Sequence, residues 1–331
     1  MKKILQKIGL LIISTSITLM FLEGLSRIIL KSAYTHVVDK NGDMVSMQIN
    51  PGNLEMGLKP FFKGRMISGE FNVSINLDSI GLRKRIEAGF AIEKAPLQIA
   101  LLGDSFMFGW GVEAHQAFGS VLAKELNTIL NQKIIVYPLA IPGTGQFSQL
   151  SLLKRTTYFK PDIIIVGMYV TNHIASGNDL IDNLNEYYKL YSKNASTKTN
   201  DNSKIDFLRQ VRRWSKNNSN LFRFVETRLN AVFLARFSNA LNIESDPDVM
   251  KNAWALTDSV LIDLQKEASL SNALLVIQYI PNTIDLLYST KNKLNISDFY
   301  YVGDGHWNPK AHKIAAITTA NFLSEISENT F

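Results

Sequence analysis

Four short apolar runs limit the folds open to this chain: "LQIALLG" (97–103), "KIIVYPLA" (133–140), "DIIIVGMYV" (162–170) and "NALLVIQYI" (272–280). None alternates polar with apolar residues, so each reads as a strand buried on both faces. Between and after them come stretches with helical spacing, "AHQAFGSVLAKELNTIL", "DVMKNAWALTDSVLIDLQKEA" and "KAHKIAAITTANFLSEI". Strands alternating with helices predict a parallel sheet covered on both faces. The 331 residues suit one large unit with additions, and 46% hydrophobic with 19% charged residues is globular composition.

The first 31 residues read differently. Lys2, Lys3 and Lys7 precede an uncharged run from Ile8 to Leu22. Basic residues before such a run hold the N-terminus in the cytoplasm, so the remainder is expected outside the membrane. Fifteen uncharged residues are short of the roughly 20 that span a bilayer, and snorkelling by Lys7 makes up the difference. A cleaved signal peptide is the rival, with Gly24 and Ser26 as small residues. An uncleaved single-pass anchor in a bacterial cytoplasmic membrane is the expectation. Residues 32–96 then read as a linker with one accessory strand from Phe71 to Leu77 leading into a turn at Gly81. Residues 97–328 form the main unit, with a basic, partly flexible insertion at 176–248.

The formal charge is +6, and it is concentrated. From Lys189 to Arg228 ten Lys/Arg face three acids, a balance of 10 − 3 = +7. Such a segment could meet an anionic glycan or lipid, or simply be a solvated helix face. No nucleic-acid module is visible, and nucleic acid is not expected as a partner. The oligomeric state is not legible. With no cysteine, thiol nucleophiles, zinc–thiolate sites and iron–sulfur clusters are excluded.

In open parallel sheets ligands bind beyond the carboxyl ends of the strands. After the first strand stand Gly103, Asp104 and Ser105; after the second, Gly143 and Gly145; after the third, Thr171, Asn172 and His173. Before the last helix comes "VGDGHWNPKAH", with Asp304, His306 and His312. A serine nucleophile needs a base, a group that orients it, and donors for the oxyanion. Of five histidines, His36 lies in the linker, His115 begins a helix and His312 sits on one. His306 stands in a loop two residues after Asp304 and just before an Asn308 cap and Pro309. Ser105, His306 and Asp304 are therefore the candidate catalytic set. The backbone of Ser105, the backbone of Gly143 and the Asn172 amide are candidate oxyanion donors. Each has an ordinary alternative as a cap or turn residue. Phe106, Met107, Phe108 and Trp110 either wall a pocket or pack the following turn.

These four blocks, in this order, resemble the SGNH hydrolases, also called the GDSL esterase/lipase superfamily. The matching residues are Ser105 in "GDSF", Gly143 in "IPGTGQ", Asn172 in "YVTNH" and His306 in "DGHWNP", over about two thirds of the chain. The N-terminal anchor, "INLDSIGLR" and "GDSFMFGWGV" are similar to the membrane-anchored bacterial members. The resemblance implies a three-layer α/β/α sandwich with a parallel, flavodoxin-like central sheet, and a Ser–His–Asp esterase needing no metal or cofactor. Two departures stand out. Many members place the Asp three residues before the His, whereas here the spacing is two, as in related polysaccharide O-acetyltransferases. The Asn is often followed by Asp, and here by His173, which with Gly145 is a candidate substrate contact.

The leading expectation is thus an esterase removing a short acyl group, acetyl first, from a carbohydrate or lipid. An O-acyltransferase acting on a cell-envelope polysaccharide would use the same acyl-enzyme. A decayed, non-catalytic envelope-binding protein is the third reading.

Overall fold

A computed structural model describes residues 2–29, 35–49, 57–90, 95–156, 159–170, 247–281, 296–301 and 304–330, with isolated positions between 179 and 225. In chain order the elements are α1 (Lys2–Ile29), β1 (His36–Asp39), β2 (Gln48–Ile49), β3 (Gly57–Leu58), β4 (Lys63–Ile67), β5 (Asn72–Asn76), β6 (Ile86–Ala88) and β7 (Leu97–Gly103). They continue with α2 (Ser105–Phe108), α3 (Phe118–Leu130), β8 (Ile134–Ala140), α4 (Gln146–Arg155), β9 (Ile163–Tyr169), α5 (Pro247–Leu270), β10 (Leu274–Ile280) and α6 (Pro309–Thr330).

The four apolar runs become β7 to β10, and they pair in parallel in the order β10-β9-β7-β8. β7 is central, with Leu101 opposite Pro138 on one side and Ile165 on the other. The crossover from β7 steps outward to β8, and the next returns past β7 to β9. The carboxyl end of β7 therefore faces the point where the strand order reverses, where open α/β sheets leave a crevice. α3 packs on α6 and against β6 and β8, while α4 packs on α5 and touches β7 and β8. In α3 the apolar face is complete: Phe118, Leu122, Ala123 and Leu126 are all buried, at spacings of one helical stripe.

Two features differ from the sequence reading. β10 is an outer strand, so Leu274, Ile277 and Tyr279 remain partly exposed despite their apolar context. Residues 36–90 are also more than a linker with one strand. β1, β4 and β5 form an antiparallel sheet, β2 pairs with β3, and β6 adds antiparallel to β8. Val37, Met47, Leu58, Met66, Val73 and Ile75 join the same continuous core as the parallel sheet. Their strands are two to five residues long, and β1 finds its partner β4 about thirty positions on, which leaves little periodic signal. β6 carries Glu87 at its end of the sheet, which pairs with Arg85 just before the strand and, at 2.8 Å, with Lys133.

α1 is continuous, and Gly9–Arg27 has a mean hydropathy of 1.6, long and apolar enough to cross a membrane. Only 6% of that window is buried within the protein, so its apolar surface faces outward.

The sheet is fitted closely beneath α2. A Cβ at Gly103 would lie 2.4 Å from Met107 Cγ, and one at Gly167 would lie 2.4 Å from the same atom. Met107, fully buried, thus occupies the space two neighbouring strands leave by having glycine. Gly167→Ala is expected to lower unfolding free energy by about 1–3 kcal/mol through overpacking. In a Met107→Ala background the same change should cost far less, a coupling that denaturant unfolding of the double-mutant cycle measures.

Candidate active site

β7 delivers the chain to Gly103, and α2 begins at Ser105. Asp104 caps that single turn, its carboxylate accepting from the Phe106 N–H at 2.9 Å. Gly109 ends it in the left-handed region (φ 79°) and returns its N–H to the Phe106 carbonyl. Phe106, Met107 and Phe108 are buried and hold the turn down, so these three pack, whereas Trp110 reaches the surface of a pocket. Ser105 is left at the tip of the strand.

The His306 loop meets it there. Ser105 Oγ lies 2.7 Å from His306 Nε2, and His306 Nδ1 lies 2.5 Å from Asp304 Oδ1. The other Asp304 oxygen accepts from the Thr35 hydroxyl and, at 3.4 Å, from Trp110 Nε1. The loop is pinned by its own backbone, with Tyr301 N–H donating to the His306 carbonyl and Gly305 N–H to the Tyr301 carbonyl. Asn308 caps α6 by accepting from the Lys310 and Ala311 N–H groups. The Phe106 and Trp110 rings flank the His306 ring at 5.0 and 5.6 Å.

The turn carrying Trp110 has a support of its own. Buried Arg83 lies over the Phe108 ring and donates through Nη2 to the carbonyls of Gly109 (3.0 Å) and Val112 (3.3 Å). Burial lowers its pKa to about 10, partly offset by Glu113, and it stays charged. Tyr301 Oη donates to the Gly111 carbonyl, tying this turn to the histidine loop.

Three aspartates near Ser105 differ in electrostatic state. Burial pushes Asp304 upward, but the donors from His306, Thr35 and Trp110, with the His306 charge, outweigh it and hold the carboxyl below the usual range. Asp304 is therefore ionised and fit to orient His306. Asp104 is pushed up to about 6, chiefly by burial, with Asp182 adding to the rise. Asp179, which accepts from Tyr169 N–H and Gln146 Nε2, is raised well above its ordinary value by burial and by Asp104.

Ser105, His306 and Gly143 share a cavity of about 320 Å³ with Val37, Val45, Met47, Gln48, Leu58, Trp110 and Pro142. Gly143 has φ 76°, and Gln48 Nε2 donates to the Pro142 carbonyl beside it. One whole wall thus comes from residues 37–58, a stretch that reads in sequence only as linker. Thr35, Gln48 and Met47 carry no motif that could flag them, whereas Trp110 is at least a candidate from its place after the nucleophile.

Gly145 has partners within the protein. Its N–H donates to Glu186 Oε1 at 3.0 Å, and a Cβ there would lie 2.6 Å from Asn183 Oδ1. It opens α4 against Asp182, Asn183 and Glu186. Glu186 also accepts from Ser148 N–H and its hydroxyl, so this carboxylate caps α4. Asn172 and His173 lie outside the described residues, as does nearly all of the basic 189–228 segment and of the insertion at 176–248. His115 is exposed on a short helical turn. His312 is buried edge-on to Trp307, and neither ring nitrogen has a partner among the described residues. Burial first, then Arg83 and His306, lower its pKa to about 3, so it is a neutral packing residue. Among the described residues no group of three or more His, Asp or Glu is arranged to hold a metal.

Asp104 gives a pH prediction. Its folded pKa, about 6, exceeds the ordinary 3.8, so the native chain binds the proton more tightly than the unfolded one. Stability from this group is complete below about 3.8 and is lost as pH rises through about 6. Asp104→Asn keeps an acceptor for the Phe106 N–H but cannot ionise. Its melting temperature relative to wild type should therefore rise between pH 4 and pH 7.5, as thermal denaturation across that range will read.

No family model matches the chain, and no curated protein sequence matches it. Among solved structures it is similar to a member of the lipolytic protein G-D-S-L family from Veillonella parvula DSM 2008. Identity is 11%, with 70% of this chain and 99% of that one covered, at a TM-score of 0.30.

Proposed function

We propose that the chain is a serine esterase of the SGNH type, a three-layer α/β/α hydrolase held outside a bacterial cytoplasmic membrane by α1. The observation that carries this reading is the unbroken hydrogen-bonded series Ser105 Oγ–His306–Asp304, at 2.7 and 2.5 Å, opening on a cavity at the carboxyl end of the central strand.

In this reading His306 Nε2 takes the Ser105 proton as Oγ attacks the ester carbonyl, and Asp304 stabilises the imidazolium through Nδ1–H. The oxyanion is met by the N–H of Ser105 at the start of α2 and the N–H of Gly143, with the Asn172 amide as third donor. His306 then gives the proton to the departing alcohol, leaving an acyl-Ser105 enzyme. Water, activated by the same histidine, attacks the acyl carbon and releases the acid, and the proton returns to Oγ. The substrate is a short acyl ester, acetyl first, of a carbohydrate or lipid. The cavity, bounded by Val37, Met47, Leu58 and Trp110, supports a small acyl group.

The purified chain should hydrolyse p-nitrophenyl acetate and be labelled by a fluorophosphonate. Ser105→Ala and His306→Ala should each lower kcat about a thousandfold or more, with Ser105→Ala abolishing labelling. Labelling that persists in Ser105→Ala would sink the assignment.

A further inference from the structure

The segment leaving α1 enters the active site almost at once. α1 ends at Ile29, and the Thr35 hydroxyl, six residues on, donates to Asp304 Oδ2. Even fully extended, six residues cover only about 20 Å. The catalytic carboxylate is therefore held, by covalent geometry alone, close to the point where the apolar helix ends.

A second attachment removes the slack a tether would leave. Glu23, near the end of the apolar window, accepts from the Ser219 hydroxyl at 2.7 Å and the Leu221 N–H at 3.1 Å. Ser26 on the same helix is buried, in contrast to the outward-facing turns before it. The end of α1 and the chain six residues beyond it are thus attached to the rest of the protein at two places distant in sequence. The same exit segment also supplies Val37, Val45, Met47 and Gln48 to the cavity that contains Ser105, so the cavity wall and the anchor are one stretch of chain.

We infer that this site acts on an ester carried by the headgroup of a membrane-inserted amphiphile, presented within about 20–30 Å of the bilayer surface, in preference to soluble or distant polymer esters. The inference rests on the esterase reading and on α1 spanning a membrane. A site held this near the surface meets membrane-bound esters at high effective concentration, whereas one on a long tether would meet them and soluble esters alike.

The full chain, reconstituted into phosphatidylglycerol/phosphatidylethanolamine vesicles, tests it with acetylated fluorescein either free or linked to a phosphatidylethanolamine headgroup. The comparison is with a variant carrying Glu23→Ala and twelve Gly/Ser residues inserted after Lys31, which adds about 20 Å of reach. Turnover of the free ester should stay within about twofold, and turnover of the lipid-linked ester should fall about tenfold. Equal turnover of the lipid-linked ester by both proteins would overturn the inference. Because the chain has no cysteine, single labels give a readout independent of catalysis. A donor at Met44→Cys, exposed beside the cavity, should transfer more energy to rhodamine-lipid acceptors than one at Ser271→Cys, exposed just before β10 at the opposite end of the sheet. Equal or weaker transfer from Met44→Cys would place the site away from the surface and overturn the inference. If wild type and Ser105→Ala hydrolyse both esters equally, it is the esterase reading that fails, and the energy transfer still decides the placement.

Discussion

The Asp304 carboxylate organises this structure. It receives donors from Thr35, Trp110 and His306, three side chains from the start of the antiparallel region, the turn after the nucleophile and the loop before the last helix. A buried carboxylate is costly unless its lone pairs are met, and here they are met by the elements that must converge for the site to exist. The Trp110 turn in turn is braced by Arg83, whose guanidinium donates to the Gly109 and Val112 carbonyls beyond the end of α2. Each donor ties one element to the others, so the geometry of the candidate site and tertiary assembly share the same hydrogen bonds.

The same residue type serves opposite ends a few residues apart in space. Asp304 is kept charged by its donors, whereas Asp104 and Asp179, buried near one another, are pushed toward the neutral form. Asp104 accepts one backbone N–H within a helix of a single turn, too short for a strong dipole to favour its charge. The positive and negative groups around the serine are thus sorted by their partners and not by residue identity.

Much of this is legible in the sequence because parallel strands buried on both faces are written as continuous apolar runs. Ser105 stands directly beyond the end of one such run, and capping chemistry at Asn308–Pro309 marks the start of α6 and so the loop that holds Asp304 and His306. The wall of the cavity leaves no such mark. β1 to β4 hold two to five residues each, and their register, His36 opposite Ile67, joins positions about thirty apart. Such pairing is set by tertiary packing and leaves no periodicity. β10 illustrates the converse: its run is as apolar as the others, yet topology puts it at the border of the sheet. Gly145 stands in sequence as a candidate substrate contact, and the structure adds a need for glycine that comes from the chain at 182–183.

β6 has a consequence of another kind. An open sheet offers its outermost strand as a template for a second molecule. Here that side is closed by a strand of three residues, antiparallel to its neighbour and bearing the Arg85–Glu87–Lys133 charge cluster. A short, charged border strand discourages further strand addition. Neighbouring copies are thereby kept from annealing through this side of the sheet.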